Sequence, residues 1–194
     1  DGDAAESWTS RLDLRLLAGA GGGWASGAGE LNADYQTTAG FSGSLLNHAT
    51  AVVGYWVTSA WMLSLEGRFQ RVAGPNVIDA NGHTYHPATG AVAAFATATW
   101  SPPAAGLRPF VSASLGAGRI RETVTFSQLH DCGASRAETC VDTVGGGPAL
   151  AGAAAGFTYG LTKQLALVAG LGAQLGVPET TFNLDVNAGF AMRL

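Results

Sequence analysis

The sequence predicts an all-β fold, a closed antiparallel up-and-down transmembrane β-barrel of eight strands. Three observations lead there. Charged residues make up 12% of the chain, about half the roughly 25% usual in soluble domains. Apolar side chains recur at every second position in eight segments, the spacing that sends neighbours to opposite faces of a strand. The connectors between those segments are alternately short and long, as in barrels that cross a membrane. Helices are the weaker membrane reading, because the best apolar runs, 149–161 and 165–177, fall short of the ~20 residues a spanning helix needs. Glycines interrupt both runs and weaken them further as helices.

The first segment places Leu12, Leu14, Leu16, Ala18, Ala20, Gly22 and Trp24 on one face, with Arg11, Asp13, Arg15, Leu17 and Gly19 on the other. The second, 49–57, sets Ala51, Val53, Tyr55 and Val57 against Thr50, Val52, Gly54 and Trp56. Thr58-Ser59 turns into the third, where Trp61, Leu63, Leu65, Gly67 and Phe69 alternate with Met62, Ser64, Glu66, Arg68 and Gln70. In the fourth, 91–100, Val92, Ala94, Ala96, Ala98 and Trp100 point outward and Thr97 and Thr99 inward. Ser101-Pro102-Pro103 ends it, since proline cannot donate to a ladder. The fifth opposes Val111, Ala113, Leu115 and Ala117 to Ser112, Ser114, Gly116 and Gly118. The sixth, 151–160, and the seventh, 165–175, carry glycines on the second face. The eighth runs from Phe182 to Leu194, with Asn183, Asp185, Asn187, Gly189, Ala191 and Arg193 inward.

Short links fall at 58–59, 101–107 and 161–164, long ones at 25–45, 72–89, 121–148 and 176–180. Asn81-Gly82 is a type I′ hairpin signal, so strands three and four are expected to extend past the membrane as a ribbon. Unpaired backbone groups are too costly in hydrocarbon for an open sheet, so the strands must close. The greasy face then looks out and the polar one in. Tyr55, Trp61, Trp100, Tyr159 and Phe190 near the short turns, with Trp24, Phe69 and Phe182 near the long links, form two aromatic girdles. Small inward residues suit a narrow eight-stranded lumen.

The chain reads as one domain over residues 1–194, with 1–9 a polar lead-in on the periplasmic side and a leader segment expected to have been removed before it. With a net charge of −4 and no basic block, nucleic acid is not an expected partner. Cys132 and Cys140 share one polar stretch. Two thiols are too few for zinc, so a disulfide formed in an oxidising compartment is expected, adding about 2.5 kcal/mol by loop closure.

The closing stretch Asn187-Ala188-Gly189-Phe190-Ala191-Met192-Arg193-Leu194 resembles the assembly signal of the small outer-membrane barrel family of the OmpA and OmpX type. That signal has a polar residue, a glycine, then two apolar residues two apart, here Asn187, Gly189, Met192 and Leu194. Leu194 stands where the family usually has an aromatic. The resemblance implies a bacterial outer-membrane location with both termini periplasmic, and recognition by the barrel-assembly machinery. It does not imply a function, because one fold hosts many.

Six charged residues fall on the inward face: Asp13, Arg15, Glu66, Arg68, Asp185 and Arg193. Unpaired, they are too costly in a narrow interior, so a lumenal salt-bridge network plugging the barrel is expected, with ion conduction as the alternative. Strand one adjoins strand eight on closure, which is expected to bring Arg15 near Asp185. Arg71, Arg119 and Arg121 are read as continuing the outward faces of strands three and five to their loop ends. There guanidinium groups could pair with lipopolysaccharide phosphates, against the plainer reading of solvated rim arginines.

His83, His86, His130 and Asp131 lie in long connectors and are too sparse for a metal site, and no cofactor is expected. His48 and Thr50 are the nearest histidine and hydroxyl pair, but both turn inward without an identifiable carboxylate, so no catalytic residue is assigned. No Walker, Rossmann, GxSxG or HExxH pattern occurs. Two function classes remain. One is a structural anchor or surface-interaction protein acting through its long loops, in contact with outer-membrane lipid, lipopolysaccharide and other envelope proteins. The other is an envelope-lipid (lipid A) modifying enzyme. A narrow small-solute pore is disfavoured because side chains fill an eight-stranded lumen.

Overall fold

Period-two patterning commits each segment to a strand with one greasy face, and a strand whose other face is polar can hide its backbone only against further strands. The computed structural model describes residues 11–29, 36–38, 42–72, 77–78, 84–85, 88–127 and 139–194. These form eleven strands: β1 (Leu12–Ala28), β2 (Gln36–Thr38), β3 (Ser42–Trp56), β4 (Trp61–Arg71), β5 (Val77–Ile78), β6 (Thr84–Tyr85), β7 (Gly90–Trp100), β8 (Leu107–Gly118), β9 (Ile120–Ser127), β10 (Thr139–Gly160) and β11 (Leu165–Arg193). The antiparallel pairings β11–β1–β3–β4–β7–β8–β10 return to β11 and close a ring.

β11 supplies two walls of that ring. Its 29 residues would run about 95 Å if straight, but its halves have different partners. The first ladders with β10 and the second with β1. The Arg193 N–H donates to the Gln164 carbonyl at 2.8 Å, and Asn183 Nδ2 donates to Gln174 Oε1 at 3.1 Å. The halves therefore lie side by side as a hairpin, and the chain crosses eight times.

Every aromatic assigned to a girdle, from Trp24 to Phe190, points outward. Leu65 and Leu115, midway along their strands, are 70% and 72% exposed, a face that only an apolar surround satisfies. The opposite face holds Asp13, Arg68, Gln70, Asn183 and Asp185, all buried. The buried ion-pairing charges are inside and Leu16, Leu63, Leu65, Leu115 and Leu171 outside, the inverse of a soluble sandwich.

Two connectors differ from expectation. The stretch 121–148, expected as a stapled loop, is largely the β9–β10 ribbon, laddered from Ile120 with Gly146 to Ser127 with Thr139. Its sequence is dense in β-branched residues, Thr123, Val124 and Thr125 in β9 and Val141, Thr143 and Val144 in β10, which favour a strand without an apolar period. The link 176–180, expected to be long, is a tight reversal, because β11 keeps its ladder partners to Glu179 on one side and from Thr180 on the other. The Cys132–Cys140 staple lies outside the described residues, Cys132 entirely and Cys140 in its side chain. Asn81-Gly82 also lies outside them, although β5 and β6 pair on either side.

At Gly118 and Gly147 the backbone takes φ of 133° and 129°, a region in which L side chains are strained. A side chain on Gly147 would also strike the Gly118 carbonyl. These paired bends turn the ribbon inward over the long-connector mouth. Ile120 and Val144 are fully buried there, Val144 against Ala25 of β1.

Candidate functional site

The lumen is the site, and it is built in tiers. At the short-turn end the fully buried Asp13 carboxylate accepts from Arg15 Nε at 2.7 Å and from Trp56 Nε1 at 3.1 Å. Arg193 Nε lies 3.4 Å from its other oxygen. The guanidinium carbons of Arg108 and Arg193 sit 4.4 and 5.2 Å from the Trp56 ring centroid, within cation–π reach. Arg108 also donates to the carbonyls of Ser59 and Ser101, fastening two short turns to the wall.

In the middle tier Arg68 grips Asp185 with both Nη atoms, at 2.6 and 3.2 Å. Such two-pronged pairing is the strongest form of ion pair. Asn183 Nδ2 donates to the same carboxylate at 2.6 Å. His48 Nε2 donates to Asn187 Oδ1 at 2.6 Å, and its Nδ1 lies 3.7 Å from Asp185. A side chain at Gly19 would collide with the His48 ring, so the glycine opens the wall where the imidazole lies. Between the two tiers is a cavity of about 100 Å³, lined by Arg15, Glu66, Arg68, Thr97 and Thr99 among others. Its volume suits a few waters.

The third tier is the ribbon itself. The Arg121 backbone exchanges two hydrogen bonds with the Gln70 side chain of β4, at 3.0 and 3.1 Å. Arg121 Nε donates to the Gly90 carbonyl at 3.1 Å, and Thr143 Oγ1 to the Ala88 carbonyl at 2.8 Å. β9 and β10 thus bridge the β4–β7 wall to the β1 wall and cover the mouth.

Of the six inward charges, Asp13, Arg15 and Arg193 come together, as do Arg68 and Asp185, while Glu66 lines the cavity without an ion pair. Arg15 does not meet Asp185. In the β1–β11 register Asp185 faces Gly21 whereas Arg15 faces Ala191, so Asp185 stands well above Arg15 and takes Arg68 instead. Arg71 and Arg119 remain on the exposed outer rim. Arg121 does not: it is 5% exposed, because the bend at Gly118 breaks the alternation and swings it into the mouth. Lipid contact is excluded for it.

Asn187 is a lumenal partner of His48, Gly189 is packed against the Leu16 backbone, and Met192 and Leu194 face outward. His48, the one histidine among the described residues, does have a carboxylate neighbour, contrary to the expectation from sequence. His83, His86, His130 and Asp131 lie outside the described residues.

The sequence reading missed Arg108, Trp56, Gln70, Asn183 and Thr143 as network members. For Arg108 a signal was present: carrying the alternation of Ser112 and Ser114 back across Pro109 turns Phe110 and Arg108 inward.

No protein-family model matches the chain, and no curated protein resembles it in sequence. Solved structures do resemble it. Neisserial surface protein A (NspA) superposes with a TM-score of 0.51 at 13% identity, over 93% of this chain and 97% of that one. The chain has the fold of a small outer-membrane β-barrel. The N-terminal barrel domain of Pseudomonas aeruginosa OprF matches at TM-score 0.46 and 18% identity, over 95% of this chain and all of that one. Ail, the attachment invasion locus protein of Yersinia pestis, matches at 0.48 and 9%, over 95% and 100%. At such identities the likeness is one of fold, and for a small outer-membrane barrel the role must come from its own residues.

Proposed function

We propose that this chain is an outer-membrane barrel with a closed lumen, serving as a structural anchor or surface-interaction protein through its long-connector side, with both ends of the barrel domain in the periplasm. The observation that carries the reading is the stack of polar tiers with the β9–β10 ribbon above them. A solute would have to break buried ion pairs at two levels and displace a laddered ribbon. What is left for contact outside the lipid is the ribbon and the long connectors around it.

The test has two arms. Planar-bilayer recording of the purified chain is expected to show no steady porin-sized conductance, and a large, stable open level would overturn the closed lumen. Crosslinking in native membranes is expected to capture an envelope partner through the long connectors, and mass spectrometry of lipid A after expression is expected to show no change. A modified lipid A would favour the enzyme reading instead.

Arg71 and Arg119 support an accessory contact with lipopolysaccharide phosphates. They stand on the outer rim at the level of Gly90 and Val92, on either side of β7, about 10 Å apart by strand spacing. The outward Met192 and Leu194 support recognition of the last strand by the assembly machinery. Replacing Arg71 and Arg119 by Gln is expected to lower lipopolysaccharide co-purification severalfold, and unchanged lipid would remove this contact from the proposal.

A further inference from the structure

The outer wall of the barrel is not smooth. A groove of about 890 Å³ crosses it from β1 to β10, and the ladder registers show how it is cut. Gly54, Ser64, Thr97, Ser114 and Gly152 pair in turn across β3, β4, β7, β8 and β10. They belong to the inward-facing set, so this row presents backbone to the outside. The outward side chains on either side of the row form the banks. Tyr55, Leu63, Ala98 and Ala113 stand on the short-turn side, and Val53, Leu65, Ala96, Leu115 and Ala151 on the other. The banks are two residues apart along each strand, about 7 Å. That is too narrow for a helix, about 10 Å across, or for the wall of a second barrel, and wide enough for one polymethylene chain.

The direction of the groove suits such a chain. Gly54 lies two residues from the short-turn end of β3, whereas Ser114 lies seven from that end of β8 and Gly152 eight from that end of β10. The groove therefore climbs away from the short turns. Six residues along strands tilted by about 40° rise about 15 Å, half of the ~30 Å hydrocarbon core. Its run across four strand spacings is about 19 Å. It thus spans one leaflet, the one on the short-turn side.

The foot of the groove carries a charge. Leu12 and Tyr55 line it there, and the Tyr55 hydroxyl accepts from Arg11 Nη1 at 3.3 Å. Arg11 precedes β1 and is exposed, and its guanidinium reaches over the rim to the outward face. A guanidinium beside a tyrosine hydroxyl at girdle level stands at the height of lipid headgroups, where it can pair with a phosphate. A greasy channel with a positive charge at its lower end complements an anionic amphiphile.

We propose that this groove is a binding site for one anionic glycerophospholipid, with an acyl chain laid along the row from Gly54 to Gly152 and the phosphate held at Arg11 and Tyr55. Given the function proposed above, on which this site rests, the leaflet is the periplasmic one.

The full chain is placed in nanodiscs of phosphatidylcholine carrying a small fraction of phosphatidylglycerol spin-labelled on its acyl chain, and the motionally restricted component is read by electron paramagnetic resonance. Spin-labelled phosphatidylcholine at the same fraction is the reference. The wild type is expected to restrict phosphatidylglycerol severalfold more than phosphatidylcholine. Arg11→Gln should abolish that preference and Tyr55→Phe should reduce it. Ala96→Phe with Ala113→Phe, which fill the groove from both banks, should abolish it as well. Ala188→Phe, on the outward face of β11 away from the groove, should leave it unchanged. Circular dichroism checks folding, and if the double phenylalanine variant fails to fold, Arg11→Gln on the exposed rim carries the test.

Equal restriction of the two lipids by the wild type, or a preference that survives both Arg11→Gln and the filled groove, means a general lipid annulus only and overturns the site. A preference lost in Arg11→Gln but kept in the filled groove would be a headgroup contact without a chain site, and overturns the groove. If Ala113→Cys chains crosslinked to one another in liposomes, a second copy would occupy the groove and the proposal would fall. A chain that does not enter the discs refutes the lipid-facing wall itself, a result distinct from equal restriction by a chain that has entered.

Discussion

Arg68 and Asp185 form a buried pair closed on both sides, and such a pair is fragile to single changes and tolerant of paired ones. Arg68→Gln leaves the Asp185 carboxylate buried with Asn183 and His48 as its nearest partners. Stripping one partner from a buried ion pair costs about 3–5 kcal/mol, so urea unfolding in liposomes should show a loss of that order. Joint replacement by Arg68→Leu and Asp185→Leu should recover most of it, since an apolar pair of similar volume is often neutral. Glu66→Gln, at a residue with no ion pair, should cost less than about 1 kcal/mol. Equal losses for Arg68→Gln and Glu66→Gln would show that the pairing contributes nothing. Gly19 and His48 are coupled through space alone: Gly19→Ala drives a methyl group into the imidazole, and adding His48→Ala should relieve part of the damage. A double-mutant cycle with a coupling above about 0.5 kcal/mol is the expected result.

The β9–β10 ribbon depends on two backbone positions. Gly118→Val and Gly147→Val each force a β-branched residue into a positive φ, at a cost of about 1–3 kcal/mol, while leaving the eight crossings intact. The ribbon should then lift, and protease added on the long-connector side should cut within 120–146 much faster than in the wild type. Unchanged protection would mean that the ribbon is held by its contacts to Gln70 and Ala88 and not by the bend. This element also marks where sequence reading stops. The eight crossings were legible because a lipid-facing strand must alternate, and Leu63, Leu65 and Phe69 advertise it. The ribbon faces protein and water, so nothing enforces a period on it, and its strands read as loop. Ion-pair partners were illegible for a related reason. Alternation fixes which residues point inward but not their height, and only the β1–β11 register shows Asp13 facing Arg193 and Asp185 facing Gly21.

For the molecule as a whole, stability follows the depth of each outward side chain in the lipid. A cation on the outer face has no water at the bilayer centre and can reach the headgroups only near a girdle. Leu65→Arg, midway along β4, should therefore cost about 2–4 kcal/mol, and Phe69→Arg, two residues from the strand's outer end, about 0–1 kcal/mol beyond the lost aromatic packing. The same substitution at Ser64 samples a different medium, since Ser64 is buried on the lumen face, beside Thr97 of β7. Equilibrium unfolding in vesicles, followed by tryptophan fluorescence, measures all three. A larger penalty at Leu65 than at Phe69 is the outcome a lipid-embedded closed sheet requires. Equal penalties at Leu65 and Phe69 would mean that the leucine belt does not face a membrane.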